Sequence, residues 1–498
     1  MKSTKNLPPS REGLTDAYVF VMLLAFPLFT GFRGYAAITV SKFLFFAIAT
    51  ALWLLALAVL SAKNRPPRRL LTAAQACALA FMGVCCLSAA LSPYRAECLL
   101  GAGRYDGLVT LLLCALIFLG TSSFGTLRPC HTLAFAASCT ICCLVAALQL
   151  LGLDPLWLYP GELNYYDSHI LFSGEFLGTV GNVNMLSALF TLSIPLFFSL
   201  TVLARDKHTP LYNIPLFLST LILIASKVSG GTLAVCLCAL CAPALLVRDL
   251  PTLRRALRSA ALCLLAAALA LAFTAAPDTP GVRLSLTFGP ASLLCLGLCA
   301  ACLPAAALTR RARRVPSGRT LRLACVCFSV CVLAAVLLAI WLWPGTSGTV
   351  YELSQAMRGR LEDGFGSSRI LIWRGVLSLV PEHPVLGGGP GTLALRLDLS
   401  FSRYVPETGR TLSSYVDNAH NEYLRLLADT GALGLLSYLA LLLSSLAPCL
   451  RQAETQSLPS AMLLSLVCYC IQDFFGLGLC LVSPLFWIIL GLSHTKIR

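Results

Sequence analysis

The residues with the most chemistry in them lie in the stretch 418–434, NAHNEYLRLLADTGALG, which follows the longest polar segment of the chain. His420 is one of six histidines. A neutral imidazole accepts a proton near physiological pH, so His420 is a candidate general base. On a helix, Asp417 and Leu424 would share its face at i−3 and i+4, and the Asp417 carboxylate would orient or charge-stabilise the ring. Gly431 and Gly434 would let another helix or a lipid headgroup come close to the backbone. The plainer reading of the same histidine is a helix-start residue at a membrane interface.

A second set is the run of arginines in the polar segment 344–420: Arg358, Arg360, Arg369, Arg374, Arg396, Arg403 and Arg410. A guanidinium binds phosphate in a forked geometry, as a site gripping a lipid pyrophosphate would require. Any one of them can instead be an interfacial arginine reaching for water. Asn182 and Asn184, in GTVGNVN over 178–184, can hydrogen-bond sugar or phosphate, or cap the helix that begins there. Lys227, in ASKVSGG over 225–231, adds a point charge. The run GGGPG over 387–391 has no strand before it and no GK[ST] after it, so a helix-ending turn fits better than a nucleotide loop.

Membrane helices must hold these residues. Of 498 residues, 57% are hydrophobic and only 12% charged, against about 25% charged in soluble chains. Apolar runs of about 20 residues recur from end to end, which predicts an all-α, polytopic integral membrane protein with about 12–14 transmembrane helices. The ten-residue alternation of a β-barrel is missing. The expected organisation is transmembrane helices over 1–343, an extracytoplasmic segment 344–420, and C-terminal transmembrane helices over 421–498.

The net charge of +15 does not indicate nucleic acid, because Lys and Arg sit in alternate short loops, where they set orientation. That pattern places both termini in the cytoplasm and 344–420 outside. The loop 153–178 has no Lys or Arg but holds Asp154, Glu162, Asp167 and Glu175. The first span has no small-residue cleavage site and reads as a retained anchor. The 23 cysteines lie almost wholly in apolar runs, and 344–420 has none. Neither a disulfide framework nor a metal site is expected. No Asp-x-Asp occurs, which disfavours a metal-dependent sugar-nucleotide enzyme.

His420-Asn421, nine residues, Gly431, two residues, Gly434 resembles the signature H-[NSQ]-x9-G-x-x-[GTY] of the bacterial O-antigen ligase family, which includes O-antigen polymerases. Ser368-Arg369 with Trp373, and the following PVLGGGPG, resemble that family's S-G-R-x-x-x-W element and glycine turn. GTVGNVN is similar to its G-T-F-x-N-x-N element. Where members carry S-R-G, this chain has Ser229-Gly230-Gly231, so Lys227 would supply the charge as a point ion. The resemblance covers about 178 to 440 and implies a plasma-membrane glycosyltransferase without cofactor or metal. Its donor would be a polyprenyl-diphosphate-linked glycan and its acceptor a glycan or lipid. It implies His420 and Asp417 as catalytic residues, with Arg369, Lys227, Asn182, Asn184, Asn421 and Arg403 binding substrate. Ligase and polymerase share these residues. A polysaccharide-lipid transporter or flippase would use the same arginines without needing His420.

Overall fold

The computed structural model describes residues 10–63, 70–161, 163–167, 176–278, 281–311, 316–405, 409–453 and 455–494. The protein is an all-α polytopic membrane protein. Among the described residues nine helices are long and apolar enough to cross a bilayer, and three shorter apolar helices, Leu108–Phe124, Thr209–Ala225 and Ser483–Leu492, accompany them. Together these make twelve apolar helices among the described residues, at the low end of the expected 12–14. Hydropathy registers an apolar run whether or not its helix reaches the roughly 20 residues a bilayer requires.

Helix Val183–Leu203 is the axis of the fold, with 94% of its apolar window buried, whereas Gly318–Trp341 buries 0% of its own. Apolarity alone does not decide this, since Gly318–Trp341 is the more hydrophobic of the two and lipid covers an apolar helix as well as protein does. Val183–Leu203 packs against Ser457–Asp473, Asn213–Ala225, Ser229–Leu246 and Leu250–Ala272. Short hydroxyl side chains bond across these seams, as where Ser465 Oγ donates to the Leu192 carbonyl at 2.6 Å. On the other side, Glu422–Ala453 packs along Ala73–Leu91.

Two hairpins interrupt the helical pattern. Helices Leu250–Ala272 and Pro290–Arg311 pair along their length. Between them, antiparallel strands Phe273–Asp278 and Gly281–Leu286 align Phe273 with Leu286 and Thr274 with Ser285. The first helix of the pair therefore stops at Ala272, where the strand takes over. Between Trp341 and Glu422 the chain forms helices Thr349–Met357 and Phe365–Leu379, the short turn Leu393–Arg396, and strands Ser400–Val405 and Arg410–Tyr415. These last two strands, SFSRYV and RTLSSY, do not alternate polar and apolar residues, so they carry no period-2 signal that a reading of the sequence could find.

Candidate active site

Seven separate pieces of chain converge on one cavity of about 660 Å³. Its polar wall holds Asn184, Lys227, Ser367, Arg369 and His420, and its apolar wall includes Leu150, Ile224, Leu271 and Phe273. Of the six non-glycine residues with left-handed φ among the described residues, Lys227 (56°), Ser367 (59°) and His420 (48°) line this cavity. Such conformations cost about 1–3 kcal/mol each and persist where surroundings impose them, most often at functional sites.

The loop before helix Val183–Leu203 is tied down from three directions. Tyr35 Oη donates to the Gly178 carbonyl at 2.7 Å, and Gly178 N–H donates to Gln149 Oε1 at 2.6 Å. Thr179 Oγ1 donates to the Pro27 carbonyl at 2.8 Å. Asn182 caps the helix: its Oδ1 accepts from the N–H groups of Asn184 at 2.9 Å and Met185 at 3.2 Å. Asn184 reaches the cavity wall, while the Asn182 side chain is committed to the cap.

Arg369 follows three consecutive left-handed residues, Gly366, Ser367 and Ser368. The helix runs regularly only after them. This sharp entry turns the Arg369 guanidinium back, and Nη1 donates to the Gly366 carbonyl at 2.7 Å. Its Nε is buried without a hydrogen-bond partner among the described residues. Burial lowers its proton affinity, and an anion in the cavity would satisfy both the charge and the free donor. One turn on, Trp373 Nε1 donates to the Ala419 carbonyl at 3.1 Å, fastening this helix to the His420 loop. The Trp373 ring meets Phe474 edge-on at 5.4 Å.

His420 is not on a helix. Helix Glu422–Ala453 begins two residues later, capped by the buried Asn421, whose Oδ1 accepts from Tyr423 N–H at 3.0 Å and Leu424 N–H at 3.1 Å. The expected i−3 geometry with Asp417 therefore does not form. Asp417 is instead gripped by Arg104, Nε to Oδ2 at 2.6 Å and Nη2 to Oδ1 at 2.7 Å. Burial, and then the nearby charges of Arg369 and Arg104, pull the His420 pKa down to about 4, with Asp417 opposing them. The ring is neutral at physiological pH. Arg403 lies on strand Ser400–Val405, and its side chain falls outside the described residues.

The glycine motifs act one layer back. Helix Glu422–Ala453 breaks at Gly431, with φ 68° and ψ −173°. The glycine turn docks into that break. Gly388 N–H donates to the Ala428 carbonyl at 3.0 Å, Gly389 N–H to that of Asp429 at 2.9 Å, and Ala432 N–H to that of Pro384 at 2.9 Å. A Cβ on Gly431 would stand 2.3 Å from the Val385 carbonyl carbon, and one on Gly387 would stand 2.4 Å from that of Asp429. Gly431 thus admits the glycine turn, not a second helix or a headgroup. A buried ion cluster fastens the joint: Arg396 Nη2 to Asp429 Oδ1 at 2.9 Å and Arg425 Nη1 to Asp429 Oδ2 at 3.6 Å. Arg425 also holds Glu422 through Nε to Oε2 at 2.8 Å. The sequence reading missed Arg104 and Arg425, and it took Arg396, here committed to Asp429, for a candidate phosphate ligand. Glu422, Arg425 and Asp429 at i, i+3 and i+7 were the available signal, one charged helix face inside an apolar protein.

The fold and this cavity define a multi-pass helical membrane protein in which a neutral histidine and cationic side chains share an amphiphilic pocket. Residues 280–439 match the family model described as O-antigen ligase. That stretch contains Arg369, His420, Gly431 and Gly434. None of the curated proteins matches the chain.

Proposed function

We propose that this protein transfers a glycan from a polyprenyl diphosphate to an acceptor hydroxyl at the extracytoplasmic face of the cell membrane. The observation that carries this is the convergence of His420, Arg369, Lys227 and Asn184 on one cavity whose other wall is apolar. A lipid-linked diphosphate needs both walls. The diphosphate faces Arg369 and Lys227, and the first isoprenoid units lie along Leu150, Ile224 and Leu271. His420 takes the proton of the acceptor hydroxyl as its oxygen attacks the anomeric carbon. The bond from that carbon to the diphosphate oxygen breaks, and the diphosphate leaves with the electron pair. Arg369 and Lys227 stabilise the charge that builds there. An incoming diphosphate also offsets the two arginines that depress the His420 pKa, so donor binding itself makes the ring a better base. The arginine-bearing loops at the opposite ends of the helices support the assignment of His420 to the extracytoplasmic side.

The test is transfer in proteoliposomes. Polyprenyl-diphosphate glycan is offered with lipid A–core and, separately, alone. Transfer to lipid A–core identifies a ligase, and a ladder of longer lipid-linked chains identifies a polymerase. His420→Ala should reduce either by about 10²–10⁴-fold with donor binding intact, and activity should survive a chelator. Unchanged transfer by His420→Ala would refute the mechanism, and lipid translocation without transfer would make the protein a transporter.

A further inference from the structure

A second cationic cavity lies at the other end of the same helices. Val183–Leu203 and Leu250–Ala272 both run between the two sites. Asn184 and Leu271 line the His420 cavity, whereas Leu203 and Asp249 line the second, of about 390 Å³. At about 1.5 Å per residue the two lie on the order of 30 Å apart, a bilayer's thickness. Arg205, Arg248 and Arg255 surround the second cavity, with Asp249 as its one carboxylate and Ser457 at its edge.

These arginines are held in a way that ordinary orientation-setting charges are not. Arg255 Nε donates to the Val202 carbonyl at 2.5 Å, while its Nη2 is buried with no hydrogen-bond partner among the described residues. Arg248 Nη2 donates to the carbonyls of Ala453 at 2.8 Å and Gln456 at 2.9 Å, while its Nε is likewise buried and unpartnered. Arg205 stays 69% exposed, with Nη2 3.8 Å from Asp249 Oδ2. Asp249 is largely spent on its own helix, Oδ1 accepting from Thr252 N–H at 2.7 Å. Three guanidinium groups thus repel one another around a single carboxylate, and two of their donors face no acceptor. Enclosed donors of this kind cost free energy until an acceptor arrives. Basic pockets between helices at a membrane face take anionic headgroups.

We infer that this cavity is a phosphate-group site, filled by the headgroup of an anionic lipid from the leaflet opposite the His420 site. One phosphate in the cavity neutralises the excess charge of the three arginines that line it, drawing the under-satisfied guanidinium groups of Arg248 and Arg255 towards it, and Arg205 closes over it from the water side. The bound lipid then joins the ends of three helices, Val183–Leu203, Leu250–Ala272 and Ser457–Asp473, beneath the helices that shape the transfer cavity. This site is independent of the catalytic assignment.

The test uses the full-length protein, purified and delipidated in neutral detergent, with phosphatidylglycerol, phosphatidylcholine or inorganic phosphate as separate probes. Native mass spectrometry counts retained lipid, and thermal unfolding reads stabilisation. Phosphatidylglycerol should be retained and should raise Tm, and phosphatidylcholine should do neither. Arg255→Gln should weaken phosphatidylglycerol binding by about tenfold, and His420→Ala should leave it unchanged. Arg205→Gln serves if Arg255→Gln does not fold, because its side chain is exposed. Inorganic phosphate that reproduces the shift, and loses it in Arg205→Gln, supports the phosphate site with a soluble occupant in place of the lipid. Equal responses to the two lipids would overturn the inference. So would variants that keep the full response, or an equal loss in Arg258→Gln, a neighbouring arginine outside the cavity.

Discussion

Arg104 grips Asp417 with both arms of its fork, at 2.6 and 2.7 Å, across 313 positions of sequence. The pair ties the loop after Arg95–Leu100 to the residue three before His420, and both charges act on the imidazole in opposite senses. Removing either should therefore move the acid limb of the pH–rate profile in opposite directions. Arg104→Gln removes a cation that depresses the ring and shifts the limb to higher pH. Asp417→Asn removes the anion that supports it and shifts the limb lower. Shifts of the same sign would show that the pair acts only on the fold.

The depressed His420 pKa also makes a stability prediction. In the unfolded chain the imidazole titrates near its ordinary 6.5, and in the folded protein at about 4. Between those values the unfolded state binds more protons, so stability falls as pH is lowered from about 6.5 towards 4. The ligand-free protein should lose more Tm between pH 7.5 and pH 5 than His420→Gln does. Equal losses would place the titration elsewhere.

Arg369 lines the cavity and carries a buried, unpartnered Nε. Arg369→Lys keeps a charge but discards the fork. Donor affinity should fall by about 10–100-fold, the equivalent of about 1.5–3 kcal/mol for a hydrogen bond to a charged group. Isothermal titration with a soluble short-chain polyprenyl diphosphate reads this directly. Unchanged affinity in Arg369→Lys, alongside reduced turnover, would mean that Arg369 meets the diphosphate only as it leaves.

The glycine joint predicts where alanine is not tolerated. Gly431→Ala and Gly387→Ala each place a Cβ against backbone at 2.3–2.4 Å and force a left-handed φ on alanine. Each should cost about 1–3 kcal/mol, visible as a lower Tm and a weaker yield. Gly297→Ala, with nothing within 4 Å of the added carbon, should be neutral or slightly stabilising within its helix.

The sequence by itself determined the solvent and the chemistry. Its apolar runs define membrane helices because a bilayer demands that backbone polar groups be satisfied within each span. His420, Arg369 and Lys227 stand out because cations and a histidine are conspicuous in so apolar a chain. Those signals are local and survive reading one residue at a time. Tertiary structure decided which of them meet. Asn182 and Asn421 have the right chemistry for sugar, yet their side chains cap helices; the sequence offers both roles for Asn182, and the structure decides between them. Asp417 looked like the partner of His420 until Arg104, from a loop with no motif of its own, took both its oxygens. The left-handed backbone at Lys227, Ser367 and His420 was likewise invisible, since packing from several elements imposes it against the residues' own preference. Pairing over hundreds of positions depends on how helices cross, and no local spacing encodes that.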